Sequence, residues 1–136
     1  MPEKRKILFV DDEPDLVQLV SLRLQAGGYE VAVARDGQEA LDQVKKVQPD
    51  LIILDLMLPK IEGYKVCRLL KFDERYKGIP VLIFTARAQA EDIQMAMECG
   101  ADAYLTKPFE VEALLGKLKE LLALSRGPKK APSQEV

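Results

Sequence analysis

The chain has 136 residues, the length of one domain with room for a substantial core. A formal charge of −2 gives no general affinity for nucleic acid, and the longest apolar stretch, Leu51 to Leu58, is broken by Asp55, so no segment reads as membrane-spanning. The basic start Lys4-Arg5-Lys6 precedes only four apolar residues before Asp11-Asp12-Glu13, too few for a signal peptide, and the expected location is the cytoplasm.

Lys6–Val10 reads as a buried strand. Pro14–Ala26 follows as a helix, with Leu16, Leu19, Val20 and Leu24 toward one face, Pro14 in its first turn and Gly27-Gly28 at its end. Tyr29–Ala34 is the second strand. The second helix opens with Asp36-x-x-Glu39, an Asp version of the capping box, and carries Ala40, Leu41, Val44 and Val47. Asp50–Leu54 is strand three, Pro59 breaks the chain, and Glu62–Lys71 is helix three. The charged stretch Lys71–Gly78 reads as a solvated helix end and loop. Ile79–Phe84 is strand four, Ala90–Cys99 a helix stopped by Gly100, and Asp102–Leu105 a short fifth strand. Val111, Leu114, Leu115, Leu118, Leu121 and Leu122 follow helical spacing. From Ser125 onward the apolar period disappears, so residues 1–124 are expected to form the domain and 125–136 a disordered tail or the start of a linker. Regular alternation of strand and helix implies an α/β fold, with a parallel sheet covered on both faces by right-handed crossovers.

If the apolar runs are parallel strands, Asp11-Asp12, Asp55, Thr85 and Lys107 all emerge at one edge, outside the carboxyl ends where open α/β folds bind ligands. Three acids, a hydroxyl and an ammonium suit a divalent cation and a transferable phosphoryl group. The chain has no histidine, which removes the usual general base and zinc ligand, so a histidine phosphodonor would have to be another protein. A carboxylate is ionised at pH 7 and needs no base to act as nucleophile. Asp55, after the four large aliphatics of the most hydrophobic strand, is the candidate acceptor. Taken singly, each residue has a plainer reading. The acids could favour a helix N-terminus, Thr85 could cap a turn, Lys107 could be an exposed lysine, and Tyr104, Met95 and Met97 could be packing residues. Cys67 and Cys99 have no ligand-like spacing and read as small buried thiols.

Asp11-Asp12-Glu13-Pro14, Asp55-Leu56-Met57-Leu58-Pro59, Phe84-Thr85-Ala86-Arg87 and Thr106-Lys107-Pro108-Phe109, in this order over residues 5 to 122, resemble the receiver domains of bacterial response regulators. Met57, Thr85-Ala86-Arg87 and Gly100-Ala101-Asp102-Ala103-Tyr104 are most similar to receivers of winged-helix transcription factors. The resemblance implies a flavodoxin-like, doubly wound (βα)5 fold with a five-stranded parallel sheet in order 2-1-3-4-5. It implies a phosphoryl group on Asp55 and Mg²⁺ bound by Asp12 directly, by Asp11 through a water, by Asp55 and by the Met57 backbone carbonyl. Lys107 and Thr85 would hold phosphoryl oxygens, contacts formed only once the phosphoryl is present, and Tyr104 would turn inward as Thr85 moves. The Lys107–Pro108 bond is expected to be cis.

The function implied is a signalling switch rather than an enzyme. It accepts a phosphoryl group from a histidine kinase or histidine phosphotransfer protein, assists its own phosphorylation and slow dephosphorylation, and controls a downstream effector without itself binding nucleic acid or membrane. The alternative is a Mg²⁺-dependent phosphatase with an aspartyl nucleophile, but the Asp-x-Asp of that group is missing. A flavin module of similar topology fits less well, since Asp11-Asp12-Glu13 would repel its phosphate. Dimerisation through helix four, strand five and helix five is disfavoured by Ala103 in place of a second Asp, and by Lys117 and Lys119 where Arg is common. The expectation is a monomer before phosphorylation, with a dimer afterwards left open. The three acids should also destabilise the fold by repulsion, on the order of 1–3 kcal/mol per pair.

Overall fold

The computed structural model describes residues 4–58, 62–86, 89–108 and 110–125. Five strands alternate with five helices: β1 (Lys6–Val10), α1 (Pro14–Ala26), β2 (Glu30–Ala34), α2 (Gly37–Val47), β3 (Leu51–Leu54), α3 (Gly63–Lys71), β4 (Val81–Thr85), α4 (Ala90–Glu98), β5 (Ala103–Thr106) and α5 (Val111–Ser125). Neighbouring strands pair in parallel in the order β2-β1-β3-β4-β5, the flavodoxin-like order expected from the sequence. Pro59, Arg87, Phe109 and the tail from residue 126 lie outside the described residues; α5 itself runs through Ser125.

The continuous apolar runs have a direct cause, because the central strands are buried on both faces. Alternate residues Leu8, Val10, Ile52, Leu54, Val81 and Ile83 pack with α2, α3 and α4 through Ala40, Val44, Val66, Leu70 and Ala96. Their neighbours Ile7, Phe9, Leu51, Ile53, Leu82 and Phe84 pack with α1 and α5 through Val20, Leu24, Leu114 and Leu118. Two helices end alike. Gly28 (φ +96°) and Gly100 (φ +97°) take the left-handed conformation, and the next residues return to the last turns, Tyr29 N–H to Leu24 O and Ala101 N–H to Ala96 O, both at 3.1 Å. Asp36 caps α2 by accepting from Glu39 N–H at 2.8 Å, while Glu39 accepts from Arg35 N–H at 2.6 Å.

Several details depart from the sequence reading. In α1 the buried face is Val17, Val20 and Leu24, and Leu19 stands out in solvent. Apolar residues occur nearly all round this helix, so the pattern alone does not select a face. Met95 and Met97 are exposed on α4 rather than packed. Lys71 is not solvated: its ammonium donates to Ile79 O at 3.0 Å and to Asp102 Oδ2 at 2.9 Å, and Asp102 Oδ2 also accepts from Val81 N–H at 2.8 Å. This contact ties the end of α3 to the beginnings of β4 and β5, at the edge opposite the acids.

Candidate functional site

The parallel register delivers the site. Val10 pairs with Leu54, so Asp11 and Asp55 leave adjacent strands side by side, and Asp55 N–H donates to Val10 O at 3.1 Å. Thr85 pairs with Thr106, and Lys107 N–H donates to Thr85 O at 2.8 Å, placing Lys107 one residue past the end of β5. One oxygen each of Asp11, Asp12 and Asp55 lie within 4.8 Å of one another.

Asp11 and Asp55 are held by the same device. Each gives Oδ1 to the backbone N–H two residues on, Glu13 at 3.0 Å and Met57 at 3.1 Å, and each turns Oδ2 toward Lys107, at 2.9 and 3.3 Å. Lys107 Nζ lies 3.5 Å from Glu13 Oε1 and 5.1 Å from the centre of the Phe84 ring, which packs against Phe9. Asp11 and Asp55 are buried, whereas Asp12 is exposed at the rim.

Burial raises the Asp11 carboxyl above its ordinary value, more than the Lys107 and Glu13 hydrogen bonds lower it, and the Asp55 charge adds a smaller rise. Burial by itself would lower the Lys107 ammonium, but the hydrogen bonds and charges of Asp11 and Asp55 together outweigh it and the net shift is upward. Lys107 is therefore fully charged at neutral pH. Lys107 bridges the two carboxylates of Asp11 and Asp55, a pairing that the sequence does not show. For the Asp11 carboxyl, burial is the larger influence and the neighbouring Asp55 charge the smaller.

The carboxylates suit a small hard cation. Oxygens around Mg²⁺ at about 2.1 Å stand roughly 3–4 Å apart, so a modest closing of the three acids makes a ligand set. Asp11, Asp12 and Asp55 could hold such an ion, competing with Lys107 for two of them.

Thr85 is buried at the end of β4, one strand from Asp55. Tyr104 pairs with Ile83, two residues back from the Thr85–Thr106 pair, and is partly buried against the core on the α3 and α4 face. The Lys107–Pro108 bond is cis. The sequence reading missed Gly63, where a Cβ would stand 2.5 Å from Leu56 Cα and overlap the Asp55 carbonyl oxygen. Gly63 N–H donates to Leu56 O at 3.1 Å, so α3 begins against the peptide of the candidate acceptor. Its signal was Gly after Glu62 at a helix start, a position that rarely demands Gly unless another backbone is close.

Comparison with known proteins agrees with this geometry. The response regulator receiver domain family matches residues 7–119. The DNA-binding dual master transcriptional regulator RpaA of Synechocystis is 46% identical over 132 residues, covering 96% of this chain and 55% of that protein. The alkaline phosphatase synthesis transcriptional regulatory protein PhoP of Bacillus subtilis is 41% identical over 132 residues, covering 97% of this chain and 53% of that protein. Among solved structures, the chemotaxis response regulator CheY4 of Vibrio cholerae superposes with a TM-score of 0.82 at 38% identity, covering 88% of this chain and 99% of that one. The chain spans about half the length of the two transcriptional regulators. No described helix is long and apolar enough to cross a membrane. With its motifs, sheet order and acidic strand edge in agreement, the chain belongs to the receiver domains of two-component response regulators, and is a signalling switch.

Proposed function

We propose that Asp55 accepts a phosphoryl group from a phosphohistidine on a partner histidine kinase or phosphotransfer protein, at a site where Asp11, Asp12, Asp55 and the Met57 carbonyl hold Mg²⁺. The observation that carries this reading is Lys107 bridging Asp11 and Asp55 across the ends of three strands. A carboxylate oxygen of Asp55 attacks phosphorus, the P–N bond breaks, and its electron pair stays on the departing imidazole. The product is an acyl phosphate. Bound Mg²⁺ offsets negative charge on the phosphoryl oxygens.

Lys107 moves from Asp55 Oδ2 to a phosphoryl oxygen, a short displacement because it is already 3.3 Å from the acceptor. The Thr85 hydroxyl takes another phosphoryl oxygen, and Tyr104 turns inward as Thr85 shifts. The same residues assist phosphorylation by small phosphodonors and slow hydrolysis of the acyl phosphate. The receiver unit includes α5, which runs through Ser125. It works in the cytoplasm, as a monomer before phosphorylation and with a dimer open afterwards, and it contacts neither nucleic acid nor membrane. RpaA is named a DNA-binding transcriptional regulator, which supports a transcription factor of that type as the downstream context.

The test is transfer from a phosphorylated histidine kinase or phosphotransfer protein in Mg²⁺, followed by borohydride reduction, which converts a phosphoaspartate to homoserine. Homoserine at residue 55 supports the reading; label that resists reduction, or maps elsewhere, contradicts it.

A further inference from the structure

Helix α4 buries little of its own surface. Its preceding residue Gln89 supplies no side-chain cap, and within the helix only Ala96 is buried. One hydroxyl reaches its first turn from α3: Tyr64 Oη donates to Asp92 O at 3.3 Å and lies 3.4 Å from Asp92 Oδ1. The body of Tyr64 is partly buried against the core on this face. Tyr64 directly follows Gly63, the residue pressed against the Asp55–Leu56 peptide so closely that no Cβ fits. An unbroken mechanical path thus runs from the Asp55 peptide through Gly63 and the Tyr64 ring to the backbone of α4.

We infer that Tyr64 is a positioning residue that carries displacement of the Asp55–Leu56 peptide to the first turn of α4, by a route separate from Thr85 and Tyr104. This rests on Asp55 being the phosphoacceptor. Gly63 packs against the Asp55–Leu56 peptide with no room for a side chain between them and donates its N–H to Leu56 O at 3.1 Å, and close-packed groups transmit displacement. The phenol then hands the movement to the first turn of a helix in which only Ala96 is buried. A movement delivered there re-aims the exposed α4 side chains Ile93, Met95 and Met97, which face solvent where a partner could read them.

The test uses the full chain with Mg²⁺ and acetyl phosphate, and compares wild type with Tyr64→Phe, which keeps the ring and removes one oxygen. Phosphoryl incorporation is read first, by intact mass. Wild type that takes up no phosphoryl overturns the Asp55 reading, and this inference with it. With incorporation established, amide hydrogen exchange in α4 is measured before and after phosphorylation, with α1 and α2 as folding controls. The expected result is that Tyr64→Phe incorporates phosphoryl as wild type does, yet its phosphorylation-dependent change in α4 exchange shrinks by about fivefold, the effect of one net hydrogen bond. A purely structural tyrosine would instead speed α4 exchange by the same factor in both forms, leaving the change intact. That outcome, or no effect on α4 at all, overturns the inference.

Discussion

Lys107 Nζ stands 2.9 Å from Asp11 Oδ2, closer than its 3.3 Å from Asp55 Oδ2, with only 17% of the lysine side chain exposed. The ammonium at the end of β5 is thus the countercharge of a buried carboxylate on β1. Removing one partner from such a pair leaves the other buried and uncompensated. Lys107→Met should lower stability in EDTA by about 2–3 kcal/mol, less than for a fully dry pair because the site opens to water. Millimolar Mg²⁺ should restore much of the loss, since it binds the same carboxylates in the folded state only. Thermal melts in EDTA and in Mg²⁺ check this; a variant as stable as wild type in EDTA would show that the bridge contributes nothing.

If repulsion among the three acids alone set the cost of the cluster, Asp12→Asn and Asp11→Asn would relieve it alike. Asp11 is buried, and its carboxyl is raised above its ordinary value mainly by that burial. Asp12 is exposed. Asp11→Asn leaves Lys107 paired with Asp55 at 3.3 Å, so it should melt higher than wild type in EDTA and should lose most of its Mg²⁺ response. Asp12→Asn should change the metal-free melt less. The reverse ranking in EDTA would place the burden on Asp12 and contradict the assignment.

Gly63→Ala should be costly. The added methyl meets backbone at Asp55 and Leu56, which cannot swing aside as a side chain can. About 3 kcal/mol is expected, the upper part of the range for overpacking, together with impaired phosphorylation because the Asp55 peptide must shift. Urea melts and acetyl phosphate uptake read the two effects. A Gly63→Ala protein with wild-type stability would mean that the close approach relaxes freely.

Much of the architecture was legible because its signals are local. Buried parallel strands show as Ile7–Val10 and Leu51–Leu54, and the ends of α1 and α4 show in Gly28 and Gly100. Strand limits slipped by a residue or two where a polar or proline residue sits beside a strand. Asp50 precedes β3 and accepts from Lys6 N–H at 2.8 Å, and Pro80 has no N–H to give to a ladder. Site members at strand ends were readable as residue types, but their partners were not. Lys107 meets Asp11 from 96 positions away, and Lys71 meets Asp102 from 31. Nothing in the sequence around Lys71 distinguishes it from an exposed lysine.

That second lysine gives a further prediction. Asp102→Ala removes the acceptor of both Val81 N–H and the Lys71 ammonium, whose side chain is 12% exposed. Losing partners for a backbone donor and a part-buried cation should cost about 2–3 kcal/mol. Because the contact lies at the edge opposite Asp55, Mg²⁺ stabilisation should persist. A loss of stability below about half a kcal/mol, the scale of ordinary surface substitutions, would contradict the account.

Burial pushes the Cys67 thiol up to about 12 from 9.0. A folded-state value above the unfolded one gives stability that is fully present below pH 9 and lost as pH rises toward 12. The melting temperature should fall across that window, and Cys67→Ala should fall less steeply. Both cysteines are buried, so at pH 8 they should resist an aromatic disulfide reagent until the protein is unfolded. Rapid titration of both thiols in the native protein would contradict their burial.

The central claim is that Asp55, beside Asp11 and under Lys107, is the residue that carries the phosphoryl group. The direct measurement is intact mass after incubation with Mg²⁺ and acetyl phosphate, for wild type and for Asp55→Asn. Wild type should gain one phosphoryl group that is lost in base and fails to form in EDTA, and Asp55→Asn should gain none. A stoichiometric, base-labile phosphoryl on Asp55→Asn would contradict the account.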